Sequence, residues 1–208
     1  LDSFDLVIFH NFKYAPFIEK EFLENIKKYV EGGGAFVMIG GELSFQGGDY
    51  EATPIDDILP VRIQKAFTPM FQDEFKPHIQ KQFVHHPILK LEKDEELSAG
   101  AWASLPNLHA LNVGLKPVKD AQVLIDYEKP NSGAFPILAV RRVGEGRTLA
   151  LATDSSWNWN FLRVGEGGSG RYYQAFWNNV IEWMTDEPGG ELIKIETDKE
   201  RYKEQEKA

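Results

Sequence analysis

Residues 35–50 read AFVMIGGELSFQGGDY. Five apolar or small residues run without interruption from Ala35 to Ile39 and stop at Gly40-Gly41; Glu42, Ser44 and a second glycine pair, Gly47-Gly48, follow. A short unbroken apolar run bounded by glycines reads as a strand buried on both faces. The glycines after it permit a sharp turn in which the backbone itself approaches a ligand or another loop. In open α/β sheets, sites lie just beyond the carboxyl ends of such strands. A nucleophile belongs at this place, and the residue standing there is Ser44. The chain contains no cysteine.

The segment before this stretch completes a unit. Residues 5–9, DLVIF, read as a first buried strand that ends at His10-Asn11. A helix follows, with Pro16 in its first turn, Glu19 and Glu21 near its positive end and Lys27 and Lys28 near its negative end. Ile18, Phe22, Ile26, Tyr29 and Val30 make its apolar face, and Gly32-Gly33-Gly34 stop it. Strand, helix and strand joined by short connections form a βαβ unit, which predicts two parallel strands and a right-handed crossover.

Downstream, Thr53 is placed to cap a short helix with Pro54 at its first position and Pro60 at its end, and residues 61–65 read as a strand. Residues 66–115 carry Pro69, Pro77, Pro87 and Pro106 and are the least regular part of the pattern. Four of the five histidines lie there: His78, His85, His86 and His109. The pair His85-His86 invites a metal reading, but adjacent side chains point apart on a strand and no metal-binding helix spacing is present; no metal and no cofactor are expected. Residues 121–127, 135–142 and 147–153 read as strands. The last two are joined by Val143-Gly144-Glu145-Gly146 as a hairpin. A glycine loop at 165–170 leads to a helix beginning near Ser169, with Tyr173, Phe176, Trp177, Val180, Ile181 and Met184 as its apolar stripe.

The chain has 208 residues, 42% hydrophobic and 26% charged, with net charge -9. That is one α/β domain with a sizeable core. The negative balance argues against nucleic acid as a partner, and no run approaches the length of a membrane span. The chain opens almost at once in a strand without an initiator Met, and it closes inside the charged stretch ELIKIETDKERYKEQEKA. The reading is an α/β domain over 1–188, followed over 189–208 by a linker and the first strand of a next domain, the whole cut from a longer polypeptide.

Three segments converge at the carboxyl edge of the predicted sheet: His10-Asn11, residues 40–44 and Asp154-Ser155-Ser156. Ser44 or Ser155 with His10 and Asp154 are the residue types of a serine hydrolase, although no G-x-S-x-G elbow is present. The competing reading is that the same side chains satisfy loop backbone at the sheet edge. Asn11, Gly41, Glu42, Ser44, Ser156, Trp157 and Trp159 are the candidate ligand-binding residues. Trp157 and Trp159 alternate with Asn158 and Asn160, as in surfaces that stack on a sugar or a peptide, or else form an apolar lid over the sheet edge.

DLVIFHN, then YVEGGGAFVMIGGELSFQGGDYEATPIDDILPV, then GRTLALATDSSWNWNF with an aromatic helix after it, together resemble the class I glutamine amidotransferase-like domain of large bacterial membrane-anchored proteins, which often also carry von Willebrand A or β-sandwich domains. A more distant resemblance is to ThuA-type proteins. The resemblance covers residues 5 to about 185. It implies a flavodoxin-like three-layer α/β/α sandwich, a mostly parallel sheet with an antiparallel hairpin, and an extracytoplasmic setting, with a cytoplasmic one as the alternative. It implies partners among the other domains of the same polypeptide or a separate protein, with a small molecule or saccharide as further ligand classes. Amidotransferases of this class use a cysteine on the elbow and a later His and Glu. Here there is no cysteine, and Thr153 and Asp154 stand at the late edge, so glutaminase activity does not carry over. The expected function is a non-catalytic interaction or ligand-binding domain; a serine hydrolase and a carbohydrate-binding module are the alternatives.

Overall fold

The computed structural model describes residues 1, 3–129, 132–165 and 169–185. The expectation for 189–208 lies outside them, as do residues 166–168 of the glycine loop. Among the described residues ten strands and five α-helices follow in chain order. They are β1 (Leu6–His10), α1 (Lys20–Glu31), β2 (Ala35–Ile39), α2 (Pro54–Ile58), β3 (Val61–Ile63), β4 (Met70–Phe75), β5 (His78–Ile79), α3 (Glu95–Ser104), β6 (Leu108–Asn112), β7 (Leu115–Pro117), β8 (Gln122–Lys129), β9 (Gly133–Val143), β10 (Gly146–Leu151), α4 (Asn158–Gly165) and α5 (Arg171–Thr185). Among the described residues no helix is long and apolar enough to cross a membrane.

The main sheet has six strands in the order β1-β2-β10-β9-β8-β5. β1, β2 and β10 are parallel neighbours. β9, β8 and β5 then alternate in direction, so β8 runs with the first three. Direction is therefore mostly shared, as the sequence predicts, but the antiparallel part extends beyond one hairpin to half of the sheet. For two of the three antiparallel pairs the cause is connection length: β9 follows β8 and precedes β10 within a few residues, which only antiparallel neighbours allow. β2 lies between β1 and β10, and all five of its residues are buried, which accounts for its unbroken apolar run.

Adjacent residues on a strand point to opposite faces. On β10, the Thr148 hydroxyl donates to Ile58 O at 2.8 Å and the next-door Arg147 donates to Trp183 O. α2 and α5 therefore lie on opposite sides of this strand, and α1 packs beside α2.

Local details depart from the pattern in identifiable ways. Pro16 lies outside α1, which begins at Lys20, and the buried stripe is Leu23, Ile26 and Val30. Phe22, one residue from Leu23 and so about 100° around the helix, is 57% exposed. Thr53 precedes α2 but does not cap it: its hydroxyl donates to Tyr50 O at 2.7 Å. Asp56 supplies acceptors instead, to Ile63 N at 2.9 Å and Ala52 N at 3.3 Å. The segment read as irregular, 66–115, holds a ten-residue helix, α3, capped by Asp94 on Glu96 N and Leu97 N, and a small antiparallel ladder, β4–β6; a second ladder, β3–β7, flanks it. β3 falls within the strand read at 61–65, whereas β4, β6 and β7 pair with partners far along the chain, so no local period exposes them.

Candidate functional site

The turn after β2 is the place where the chain comes together. Gly40 N donates to Leu151 O at 2.7 Å, and Asn11 N to Ile39 O at 3.4 Å. This sets the end of β2 between the ends of β1 and β10. Asn112, at the end of β6, donates its own N–H to Ala152 O at 2.7 Å. Its side chain then brackets Gly41: Oδ1 accepts from Gly41 N at 2.9 Å, and Nδ2 donates to Gly41 O at 3.0 Å. From the other side, Asn11 Oδ1 accepts from Leu43 N at 2.8 Å. Asn11 has φ 45°, a left-handed conformation that asparagine tolerates. Gly41 has φ 130°, and a Cβ there would stand 2.4 Å from Asn11 Oδ1, so only glycine fits.

Ser44 is 1% exposed. Its hydroxyl donates to Ile39 O at 2.6 Å, closing the turn back onto the strand that precedes it. Tyr50 is buried, with its hydroxyl donating to Phe12 O at 2.8 Å; burial raises its pKa above the ordinary range. Gln46 pairs with the backbone of Ala66 through both ends of its amide, at 2.8 and 3.0 Å. The glycine-rich segment is thus held by three side-chain amides, Asn11, Asn112 and Gln46. Non-glycine residues with positive φ cluster in and around it: Asn11, Phe45, Asp49, Ala52 and, on β6, Ala110. Backbone strain of this kind persists only where surrounding contacts enforce it, and it concentrates at binding and catalytic sites.

On the β10 side, Thr153 and Ser155 form a second buried knot. Thr153 Oγ1 donates to His109 O at 3.2 Å and accepts from Ser155 N at 3.1 Å. The Ser155 hydroxyl therefore donates to Thr153 Oγ1 at 2.8 Å while accepting from His109 N at 3.1 Å. Ser156 is buried beside it. Asn158, 1% exposed, points Nδ2 at His109 Nδ1 at 3.1 Å. His109 itself is exposed. Trp157 is 46% exposed and meets the His109 ring edge-on.

The predicted residues therefore reach one edge, in different roles. Asn11, Gly41, Ser44, Ser155 and Ser156 build the frame. Glu42 and Trp157 are exposed. Trp159 is 1% exposed and packs between Trp102 and Phe176, with Nε1 donating to Pro106 O at 3.2 Å, so it belongs to the core. His10 is exposed and Asp154 half-buried. Among the described residues, no hydrogen bond joins Ser44 to either, and the Asp154 side chain does not cap the turn that it precedes. Sequence reasoning missed Asn112 and did not join His109 to Asn158. The signal for Asn112 was an asparagine inside the apolar run LHALNVGL, a residue type depleted in strands and kept there by the hydrogen bonds it makes. Among the described residues, no group of three or more His, Asp or Glu side chains could hold a metal ion.

Residues 6–186 match the family described as "Putative glutamine amidotransferase". The chain belongs to this family. Among solved structures, a cytoplasmic protein from Salmonella typhimurium is 23% identical, with 88% of this chain and 73% of that one covered and a TM-score of 0.66. A ThuA-like protein from Parabacteroides merdae is 10% identical over 89% of this chain and 71% of its own, with a TM-score of 0.51. A β-galactosidase from Rahnella sp. R3 is 14% identical; the likeness covers 88% of this chain but 23% of the enzyme, with a TM-score of 0.53. These likenesses show a common fold. No curated protein matches the chain.

Proposed function

We propose that this chain is an amidotransferase-like domain that binds rather than catalyses, carried in a larger bacterial membrane-associated polypeptide and facing away from the cytoplasm. The observation that carries the reading is the state of the Ser44 hydroxyl. It stands just beyond the carboxyl end of β2, where an α/β sheet carries its functional groups, yet it is buried and its proton is committed to Ile39 O at 2.6 Å. A nucleophile needs an exposed oxygen and a base within hydrogen-bond reach. The second candidate, Ser155, is equally committed, to Thr153. The frame around Gly41 spends its polar groups on holding the turn, and the surface that remains is Glu42, Leu43 and Trp157, fit for a protein partner or a neighbouring domain.

The flavodoxin-like three-layer arrangement is supported by α2 and α5 on opposite sides of β10. The larger polypeptide is supported by the resemblance of GGELSFQGGDY and TDSSW to domains of membrane-anchored proteins. The β-galactosidase adds that the same fold occurs as a minor part of a longer chain.

The test is covalent labelling with a broad serine-directed fluorophosphonate, read by intact mass and peptide mapping on folded protein, with His10→Ala as control. The binding reading expects no adduct. An adduct on Ser44 or Ser155 that vanishes in the control would establish a serine hydrolase and remove the proposal.

A further inference from the structure

A cavity of about 280 Å³ lies between β4, β6 and the β8–β9 hairpin, lined by Thr68, Met70, Phe71, Leu111, Val113, Tyr127, Lys129, Ser132 and Phe135. It is separate from the Gly41 turn, toward which the intervening Asn112 turns its side chain. Its walls follow from the register. Tyr127 and Lys129 sit two apart on β8 and so share a face; Tyr127 pairs with Phe135 and Lys129 with Gly133. Gly133 contributes no side chain, and the space around it is open, which leaves the hollow beside Lys129. The β4–β6 ladder shifts register between Phe71 and Glu74; Phe71 stacks on Tyr127 with centroids 6.0 Å apart. Lys129 Nζ stands 4.1 Å over the Phe71 ring.

The chemistry is specific. Among the described residues the lining is apolar and aromatic, with the hydroxyls of Thr68 and Ser132; Lys129 is the one charged residue among them, and none is Asp or Glu. The aromatic face orients the ammonium while its N–H donors stay available on the side away from the ring. In a chain of net charge -9, a cation at the mouth of an apolar hollow selects for anions. The volume lies just below the usual range for drug-sized ligands, about 300–1,000 Å³, which suits a smaller molecule. We propose that this cavity binds a small carboxylate with an apolar tail, the tail among Met70, Leu111, Val113 and Phe135 and the carboxylate on Lys129. This goes beyond the binding reading of the Gly41 edge and does not depend on it.

The test is titration of the full chain with octanoate, and with octanol as its uncharged counterpart, followed by calorimetry and by the ring resonances of Phe71 and Tyr127. Octanoate is expected to bind at least tenfold more tightly than octanol and to shift both rings. Lys129→Met, which keeps the stem over Phe71, is expected to weaken octanoate at least tenfold and leave octanol unchanged. Val113→Phe, which fills the hollow, is expected to abolish both. Equal binding of the two probes, unchanged affinity in Lys129→Met, shifts at Phe22 and Tyr29 of α1 instead, or no binding to the folded chain would each overturn the assignment.

Discussion

The side-chain amide of Asn112 pairs with the peptide groups of Gly41 as one strand pairs with another, accepting at 2.9 Å and donating at 3.0 Å across 71 residues of sequence. Asn112 is 2% exposed, so no water replaces it when it is cut away. Asn112→Ala leaves a buried N–H and a buried C=O unpaired and is expected to cost about 2–4 kcal/mol. Asn112→Asp keeps the acceptor but loses the donor and buries a charge, and it should destabilise as well. Urea denaturation of both variants checks this; a loss below about 1 kcal/mol in Asn112→Ala would show that the bracket is not holding the turn.

Two glycines separate a conformational requirement from a propensity. At Gly41 the φ is 130° and an added Cβ meets Asn11 Oδ1 at 2.4 Å and Asn11 Cβ at 2.8 Å. Gly41→Ala therefore strains the backbone and displaces Asn11 from Leu43 N. The expected loss is at least about 2–3 kcal/mol, with lower soluble yield. Gly100, inside α3, has nothing within 4 Å of an added Cβ. There alanine removes unfolded-chain freedom and favours the helix, and Gly100→Ala should gain about 0.5–1 kcal/mol. Thermal melts of the pair should move in opposite directions.

What was legible in the sequence followed from local pattern. β2 was readable because five apolar residues end on two glycines, and the β9–β10 hairpin because apolar strands flank Gly144-Glu145-Gly146. The βαβ unit was readable because its connections are short. The parts that escaped depend on distant pairing. β6 takes its partner from β4, and α3 has apolar residues on more than one side, so neither displays a period. The site shows the same division. Ser44 and Gly41 lie in a visible glycine turn, whereas Asn112 acts on that turn from a strand that no local signal announces. Trp157 and Trp159, two residues apart, invite one reading, yet the turn at 155–157 gives way to α4 between them and sends one to solvent and the other inward.

The two tryptophans should separate cleanly in experiment. Trp159 touches the rings of Trp102 and Phe176 at 5.4 Å each, and Trp159→Ala empties a large volume in the core, at a cost of about 3–5 kcal/mol. Trp157→Ala removes a half-exposed ring that meets His109 and Phe161 and should stay within about 1 kcal/mol of the parent. Acrylamide quenching gives the matching optical signature: replacing Trp157 removes an accessible component, and replacing Trp159 by Phe removes a shielded one. A Trp157→Ala variant as unstable as Trp159→Ala would mean that Trp157 supports the fold rather than the exposed surface.

His86 couples the fold to acid. Its ring packs 5.2 Å from Trp183, its Nδ1 accepts from Ile88 N at 3.3 Å, and Arg147 stacks on the same tryptophan. Burial first, and the Arg147 charge second, lower its pKa from 6.5 to about 4. The sign follows directly. Between those values the unfolded chain binds a proton that the folded chain refuses, so stability present above pH 6.5 is lost as pH falls toward 4 and levels off below it. Discounted for partial exposure, the loss is about 2 kcal/mol. Asp56, whose carboxyl is raised by burial, acts in the opposite sense, gaining relative stability as it protonates. The measurement that isolates His86 is therefore a difference. His86→Asn keeps an acceptor for Ile88 N without titrating, and its stability should fall less steeply than that of the parent between pH 6.5 and 4. Parallel stability curves across that window would mean that the His86 ring takes up its proton without opposing the fold.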